Sequence, residues 1–409
     1  MMGDLGFILW AVVVMAALNV LMVAITLGVK ALRAVHRRRT DARTRRLEFA
    51  LGESLDSGEV HPGLRRLGNR DLDLLAIQMV EYLSLLRGAE RDRLVRLAEE
   101  TGLVERSLLA LGARGRWRKA KAAENLGYFG GPGAVGAIVQ LFPNRDETLR
   151  AVAARALARI GTPEAARALA ETLNDFSELT RLRMAENLER IGHEAVGPLL
   201  DTLGSGTPPG RLLAVRVLGN LRALEAGPAL REAMRDGESP DLRAQAALAL
   251  GKIGNPDDLP ALVESASDEA WPVRALAASA LGMIGEASTI PTLRELTVDR
   301  EWWVRLNASR ALANIGPAGE KALASLLDEG DRYTRDRAAA TLEERGITRR
   351  AIGELDAVGE KGERARAMIR AMVRSGSVRY LERLARTSPD GNVREALKRT
   401  MREAREGGP

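Results

Sequence analysis

From residue 113 onward, apolar and polar positions follow the period of a helix and not that of a strand. In residues 273–285, Val273, Ala277, Ala278, Leu281 and Ile284 fall on one helical face. The pair Ile284-Gly285 then closes the helix, because glycine supplies the left-handed conformation that a C-terminal cap needs. A second apolar helix follows at 290–296, and such second helices are often entered through proline: Pro163, Pro198, Pro228, Pro260 and Pro291. Alanine is abundant on the first helix, where close packing leaves little room for larger groups. The expected unit is a helix–turn–helix of about thirty residues, which cannot bury its face alone and gains stability by stacking on neighbours.

The same setting recurs along the chain. Gly161, Gly192, Gly254, Gly285 and Gly316 each follow an isoleucine, with separations of 31, 62, 31 and 31. Gly127 stands 34 before the first, and Gly346 and Gly376 continue the count at 30 and 30. Eleven residues ahead of most of these glycines is an arginine: Arg116, Arg150, Arg181, Arg243, Arg274, Arg305 and Arg335. The unit at 211–240 departs, with Ala223 at the glycine and Leu212 at the arginine, and is expected to be degenerate. Two residue types held in register over many periods predict a solenoid.

Aspartate stands six before the arginine in Asp175/Arg181, Asp268/Arg274 and Asp299/Arg305; it is Asn144 before Arg150, and shifts by one in Asp236/Arg243 and Asp328/Arg335. On these residues the stretch 113–400 resembles the HEAT repeat, in the short bacterial form also called phycobilisome-lyase-like. The resemblance implies an all-α solenoid of stacked helix–turn–helix repeats in which Asp and Arg link neighbours as a ladder. It speaks to the fold and hardly at all to chemistry.

The first 29 residues read differently. From Leu5 to Val29 the chain is almost wholly apolar, with Asn19 and Thr26 the main polar interruptions. A helix needs about 20 apolar residues to cross a bilayer. No basic residue precedes the run and no Ala-x-Ala site ends it, so a retained transmembrane helix is expected over a cleaved signal. Lys30, Arg33, Arg37, Arg38, Arg39, Arg43, Arg45 and Arg46 follow, against Asp41 alone. Basic flanks stay cytoplasmic, so the expected topology is single-pass in the inner membrane, with the N-terminus outside and the repeats inside. Arg37, Arg38 and Arg39 are also expected to attract anionic lipid headgroups. The expected organisation is 1–29 a transmembrane helix, 30–70 a basic juxtamembrane helix and linker, 71–112 a degenerate helical N-terminal cap, and 113–409 the repeats with a polar C-terminal cap. Within it, 31–56 reads as a helix made mildly amphipathic by Leu47, Phe49 and Leu51. Residues 58–68 read as a loop, and 72–86, 91–101 and 103–111 as helices.

Charge follows from this division. The chain carries +6 overall, but residues 47–409 sum to zero, so a pI near 9.9 does not by itself signal nucleic acid. With no cysteine, disulfides and thiolate chemistry are excluded. The three histidines, His36, His61 and His193, lie at no metal-ligand spacing. Residues 127–133 are glycine-rich but lack the Gly-Lys-Ser/Thr of a phosphate loop and read as a long inter-helix turn. Ser205 lacks the strand–elbow–helix setting of a hydrolase. No catalytic, cofactor or metal residue is expected. The excess of arginine over lysine and the abundant alanine suit a GC-rich bacterial genome.

The tryptophans form the one constellation that stands out. Trp117, Trp271, Trp302 and Trp303 sit at the entrance to first helices, with Trp271 and Trp302 three before the register arginine. Each reads either as a hydrophobic staple or as part of a partner-binding ridge, a role in which tryptophan is enriched. Two and five residues beyond the arginine, Arg118, Lys121, Arg155, Arg183, Glu186, Gln245, Asn307, Arg310 and Arg337 are expected to point outward. The resemblance implies that they line the concave side; this polar face leans basic and reads either as an ordinary solvated surface or as a groove for an acidic segment of another protein, with Arg183 and Arg310 its candidates. The function expected is a membrane-anchored, non-catalytic scaffold for a protein partner, itself membrane-associated, with no nucleic acid and no small-molecule substrate. The alternatives are a bilin-lyase-like enzyme or accessory subunit and a nucleic-acid-binding HEAT protein.

Overall fold

The computed structural model describes residues 2–174 and 178–406, apart from a number of side chains in the first helix and that of Leu179. Among them every regular element is helical. The chain divides into two compact units, Met1–Ile160 and Gly161–Pro409.

The first unit contains α1 (Met2–Ser57), α2 (Asn69–Leu85), α3 (Ala89–Glu100), α4 (Leu103–Leu111), α5 (Arg116–Phe129), α6 (Ala134–Val139) and α7 (Glu147–Ile160). α1 is unbroken, so the basic stretch continues the same helix as the apolar one. Its last turns dock on the unit: Leu47, Ala50, Leu51 and Ser54 are buried, Gln78 donates to the Thr44 carbonyl at 3.0 Å, and Arg93 donates to that of Leu55 at 2.7 Å. Phe49 does not join this face; it is exposed, its ring edge-on to His61. Further up the helix, the large apolar side chains described between Trp10 and Val29 are all exposed. Among the described residues no helix is long and apolar enough to cross a membrane, and the span expected at 1–29 includes many side chains outside those described.

The second unit is a run of hairpins. It comprises α8 (Pro163–Glu171), α9 (Glu178–Ile191), α10 (Val196–Ser205), α11 (Pro208–Leu221), α12 (Gly227–Asp236), α13 (Pro240–Ile253), α14 (Leu259–Ser265) and α15 (Trp271–Ile284). It continues with α16 (Ile290–Leu296), α17 (Trp302–Asn314), α18 (Pro317–Glu329), α19 (Arg332–Glu344), α20 (Ile347–Gly353), α21 (Glu360–Arg374), α22 (Arg379–Thr387) and α23 (Gly391–Glu406). The arginine-bearing helices stack directly on one another, and small residues set how closely. A Cβ on Gly251 would lie 2.4 Å from the Ala280 Cα, one on Gly282 2.5 Å from Ala311, and one on Gly219 2.7 Å from Ala249. In the first unit Gly127 meets Ala156 in the same way, at 2.7 Å.

That contact corrects the register. Gly127 lies inside α5, and the turn after it is made by Gly130, with φ 66°. Residues 130–133, not 127–133, form the inter-helix turn. Measured from Gly130, the first period becomes 31 and the 34-residue irregularity disappears. The register cation eleven before Gly130 is then Lys119, and Arg116 is an exposed side chain 3.8 Å from Asp146. The degenerate unit is corrected likewise. Arg222, with φ 52°, makes the left-handed turn in place of glycine, one residue before Ala223. Arg211, not Leu212, fills the arginine position: it donates to the Leu203 carbonyl and to Glu238, both at 2.9 Å. The left-handed positions now run 130, 161, 192, 222, 254, 285, 316, 346 and 376 without a gap.

Candidate functional site

The register arginines tie adjacent repeats together. Arg243 forks onto Asp268 with two hydrogen bonds of 3.0 Å, and Arg274 onto Asp299 at 2.7 and 3.0 Å. Each arginine also reaches back to carbonyls at the start of its own helix; for Arg274 these are Asp268 at 2.8 Å and Glu269 at 3.0 Å. Burial alone would push the Asp299 carboxyl up. The Arg274 hydrogen bonds, the Glu301 amide and the guanidinium charge outweigh it and hold the carboxyl below the usual carboxylate value. Asp268 is depressed by the same balance, with Arg243 and the Ala270 amide as its partners. The ladder therefore runs from Arg243 and from Arg274 to the aspartate of the next repeat. It stops at Arg305, where Gly330 stands twenty-five residues on and the guanidinium keeps only the carbonyls of Asp299 and Arg300, at 2.7 and 3.0 Å. Asp175, the expected rung below Arg181, lies outside the described residues.

These arginines are structural, so binding surfaces lie elsewhere on the same layer. Trp302 and Trp303 open α17 and meet edge to face, with ring centroids 4.6 Å apart. The Arg337 guanidinium of α19 sits 5.4 Å from the Trp302 ring and 3.8 Å from Glu344, which also accepts from Arg310 at 3.3 Å. Trp303, Trp302, Arg337, Glu344 and Arg310 thus form one strip across two repeats. Trp271 holds the equivalent position on α15 and makes no ring contact with Trp302 among the described residues. None of the four repeat tryptophans is buried: Trp117 is 75% exposed, Trp271 40%, Trp302 44% and Trp303 54%. Trp117 belongs to the first unit, on α5, and Arg183 lies exposed on α9; neither joins the strip. Of the positions expected to point outward, Asn307 instead donates to the Ala275 carbonyl at 2.8 Å, stitching α17 to α15.

Two grooves escaped the sequence. One, of about 1020 Å³, runs between α18, α20 and α21, its apolar floor including Ile347, Ala351 and Met368. Its rim is already ion-paired, Arg374 with Asp328 at 2.8 Å and Lys361 with Glu354 at 3.2 Å. The other, of about 610 Å³, lies between α12 and α14 beside the fully buried Asp258, which Arg231 holds. Among the described residues no group of three His, Cys, Asp or Glu is placed to hold a metal ion. His61 accepts from the Gly63 amide at 3.0 Å, and His193 lies 3.1 Å from Glu225. Burial pushes the Glu343 carboxyl up, with the Arg383 charge opposing.

The HEAT-repeat family model matches residues 108–189, 196–274 and 260–343, more than half of the chain. No curated protein matches. Among solved structures the chain is similar to an engineered protein, with 22% identity, 75% of this chain and 99% of that one covered, and a TM-score of 0.35. Kap121p is 13% identical, with 87% and 46% covered and a TM-score of 0.43, so this chain spans about half its length. Human deoxyhypusine hydroxylase in complex with glycerol is 22% identical, with 60% and 96% covered and a TM-score of 0.26. These likenesses describe the fold alone. Helical hairpins in a thirty-residue register, an Arg–Asp ladder between them and the family match together place this chain in the HEAT-repeat family.

Proposed function

We propose that this protein is a membrane-anchored, non-catalytic scaffold whose repeats hold another protein at the inner membrane surface. The observation that carries the binding part is the strip in which the exposed Trp302, Trp303 and Arg310 are linked by the half-buried Arg337. Tryptophan and arginine dominate binding hot spots because they desolvate large areas at low entropic cost. Nothing in the packing of the repeats requires two consecutive indoles on the surface. The anchor rests on the exposed apolar side chains between Trp10 and Val29, which water leaves unsatisfied. The basic residues after Val29 supply orientation, and the partner is accordingly a membrane-associated protein. The unbroken α1 sets a spacing: Thr44, whose carbonyl takes Gln78, lies 15 residues past Val29, about 22 Å of helix. Arg37 and Arg38, exposed on that stretch, remain candidates for headgroup contact with Arg39, whose side chain lies outside those described.

The test is Trp303→Ala in the full-length protein. Affinity for the co-purifying partner should fall by about 2 kcal/mol or more, with the melting temperature nearly unchanged. A well-folded variant that keeps full affinity removes the strip as the binding site.

A further inference from the structure

The near-neutral total over residues 47–409 hides a strong local imbalance. Residues 113–160 carry nine basic side chains against three acidic ones. All but Arg114 fall on and between α5 and α7, and Arg116, Lys121, Arg155 and Arg159 line a groove of about 470 Å³ that Trp117 borders. The two carboxylates lining it are already engaged: Glu124 takes Lys121 at 3.2 Å, and Asp146 caps α7 through the Thr148 amide at 2.9 Å. Arg159 lies 4.3 Å over the Tyr128 ring, and neither it nor the exposed Arg155 has a carboxylate partner among the described residues. Some exposed arginines of the second unit do find such partners, as in Arg374–Asp328 and Arg399–Asp356. Unpaired cations beside a largely bare indole leave a surface whose charge and apolar area are both unmet.

We propose that the α5–α7 groove binds an acidic segment of another protein, with carboxylates on Arg155 and Arg159 and an apolar side chain against Trp117. This rests on the adaptor reading above and gives the chemistry of one partner surface. Charge complementarity selects the class of occupant. A nucleic acid is disfavoured because the groove spans only two helices and two carboxylates line it. An anionic bilayer is disfavoured by the spacing along α1, since about 22 Å separates Val29 from the first docking contact, more than two screening lengths at physiological salt.

The experiment uses full-length protein in nanodiscs of neutral lipid and fluorescence anisotropy. The probe is a short synthetic peptide of Glu and Asp with one central Leu; its Gln/Asn counterpart is the reference. The acidic peptide should bind, the neutral one should not, and affinity should fall as salt rises. Arg155→Glu and Trp117→Ala should each weaken binding by about tenfold or more, with helix content and melting unchanged. Absence of binding, equal binding of the neutral peptide, or indifference to both variants overturns the proposal. So does binding of an oligothymidylate or of phosphatidylserine vesicles that Arg155→Glu weakens more than it weakens binding of the acidic peptide. Trp303→Ala, measured in parallel, separates the two readings. Partner capture that depends on Trp303 while the peptide fails to bind overturns the groove and spares the adaptor. Peptide binding at the groove with no protein partner at Trp303 does the reverse.

Discussion

Arg274→Ala and Arg305→Ala remove the same side chain from equivalent positions of adjacent repeats, yet the structure assigns them different costs. Arg274 is 8% exposed and gives two charged hydrogen bonds to Asp299 and two bonds to carbonyls. Breaking a buried pair by removing one partner costs about 3–5 kcal/mol. Asp299 keeps the Glu301 amide at 2.8 Å and some contact with water, which argues for the lower end, about 3 kcal/mol. Arg305 makes no hydrogen bond or ion pair to a carboxylate of the next repeat among the described residues, feeling Asp331 only through its charge, and loses two carbonyl bonds, about 1–1.5 kcal/mol. Repeat arrays open locally, so a single unfolding free energy is a poor readout. Amide exchange across α15 and α17 reports the opening energy of the interface itself. Combining Arg274→Ala with Asp299→Ala should cost less than the sum of the two, by about 1.5 kcal/mol or more. Equal losses for Arg274→Ala and Arg305→Ala, or additive behaviour of the pair, would refute the ladder.

Three further outcomes follow from the packing and the charges. Gly282→Ala, which in a free helix would gain about 1 kcal/mol, should instead lose about 1–3 kcal/mol because its Cβ would fall 2.5 Å from the Ala311 Cα; an unchanged melting temperature would contradict this. Arg222→Gly should raise the melting temperature slightly, since it relieves a left-handed conformation that costs an ordinary residue about 1–2 kcal/mol, partly offset by glycine's greater chain entropy; a lower melting temperature would contradict it. Asp268 and Asp299 are held below the ordinary carboxylate value, so their contribution is complete above about pH 4 and is lost as pH falls through their depressed values. An acid titration in which Asp299→Asn loses as much stability as the parent would contradict that assignment.

The helices between 72 and 111 and the register from Gly161 onward were legible because amphipathic period and Ile-Gly caps both carry local signals. Gly127 misled because glycine serves two purposes in these repeats. One gives a positive φ after the helix; the other lets a neighbouring alanine backbone approach within it, as at Gly251 and Gly282. Spacing alone does not separate them when Lys119 replaces the register arginine. Arg222 was illegible because an L-residue in a left-handed turn leaves no compositional trace. The groove beneath α20 depends on how short that helix is, which no periodicity shows. The strip from Trp303 to Arg310 was legible as separate residues, but its linkage runs through Arg337 and Glu344, and only packing brings those together. The basic groove on α5 and α7 was present in the sequence and was lost in the average over the whole solenoid.

Site-specific photocrosslinking in the native membrane tests the central claim most directly. A photoreactive phenylalanine analogue placed at position 303, and separately at the exposed Leu224, samples the proposed strip and an unrelated surface of the same unit. The account expects a discrete protein adduct from position 303 in the membrane fraction, absent from position 224 and abolished when Arg310→Glu is added. Identical adducts at both positions, or none at 303 in folded, membrane-fractionated protein, would contradict it.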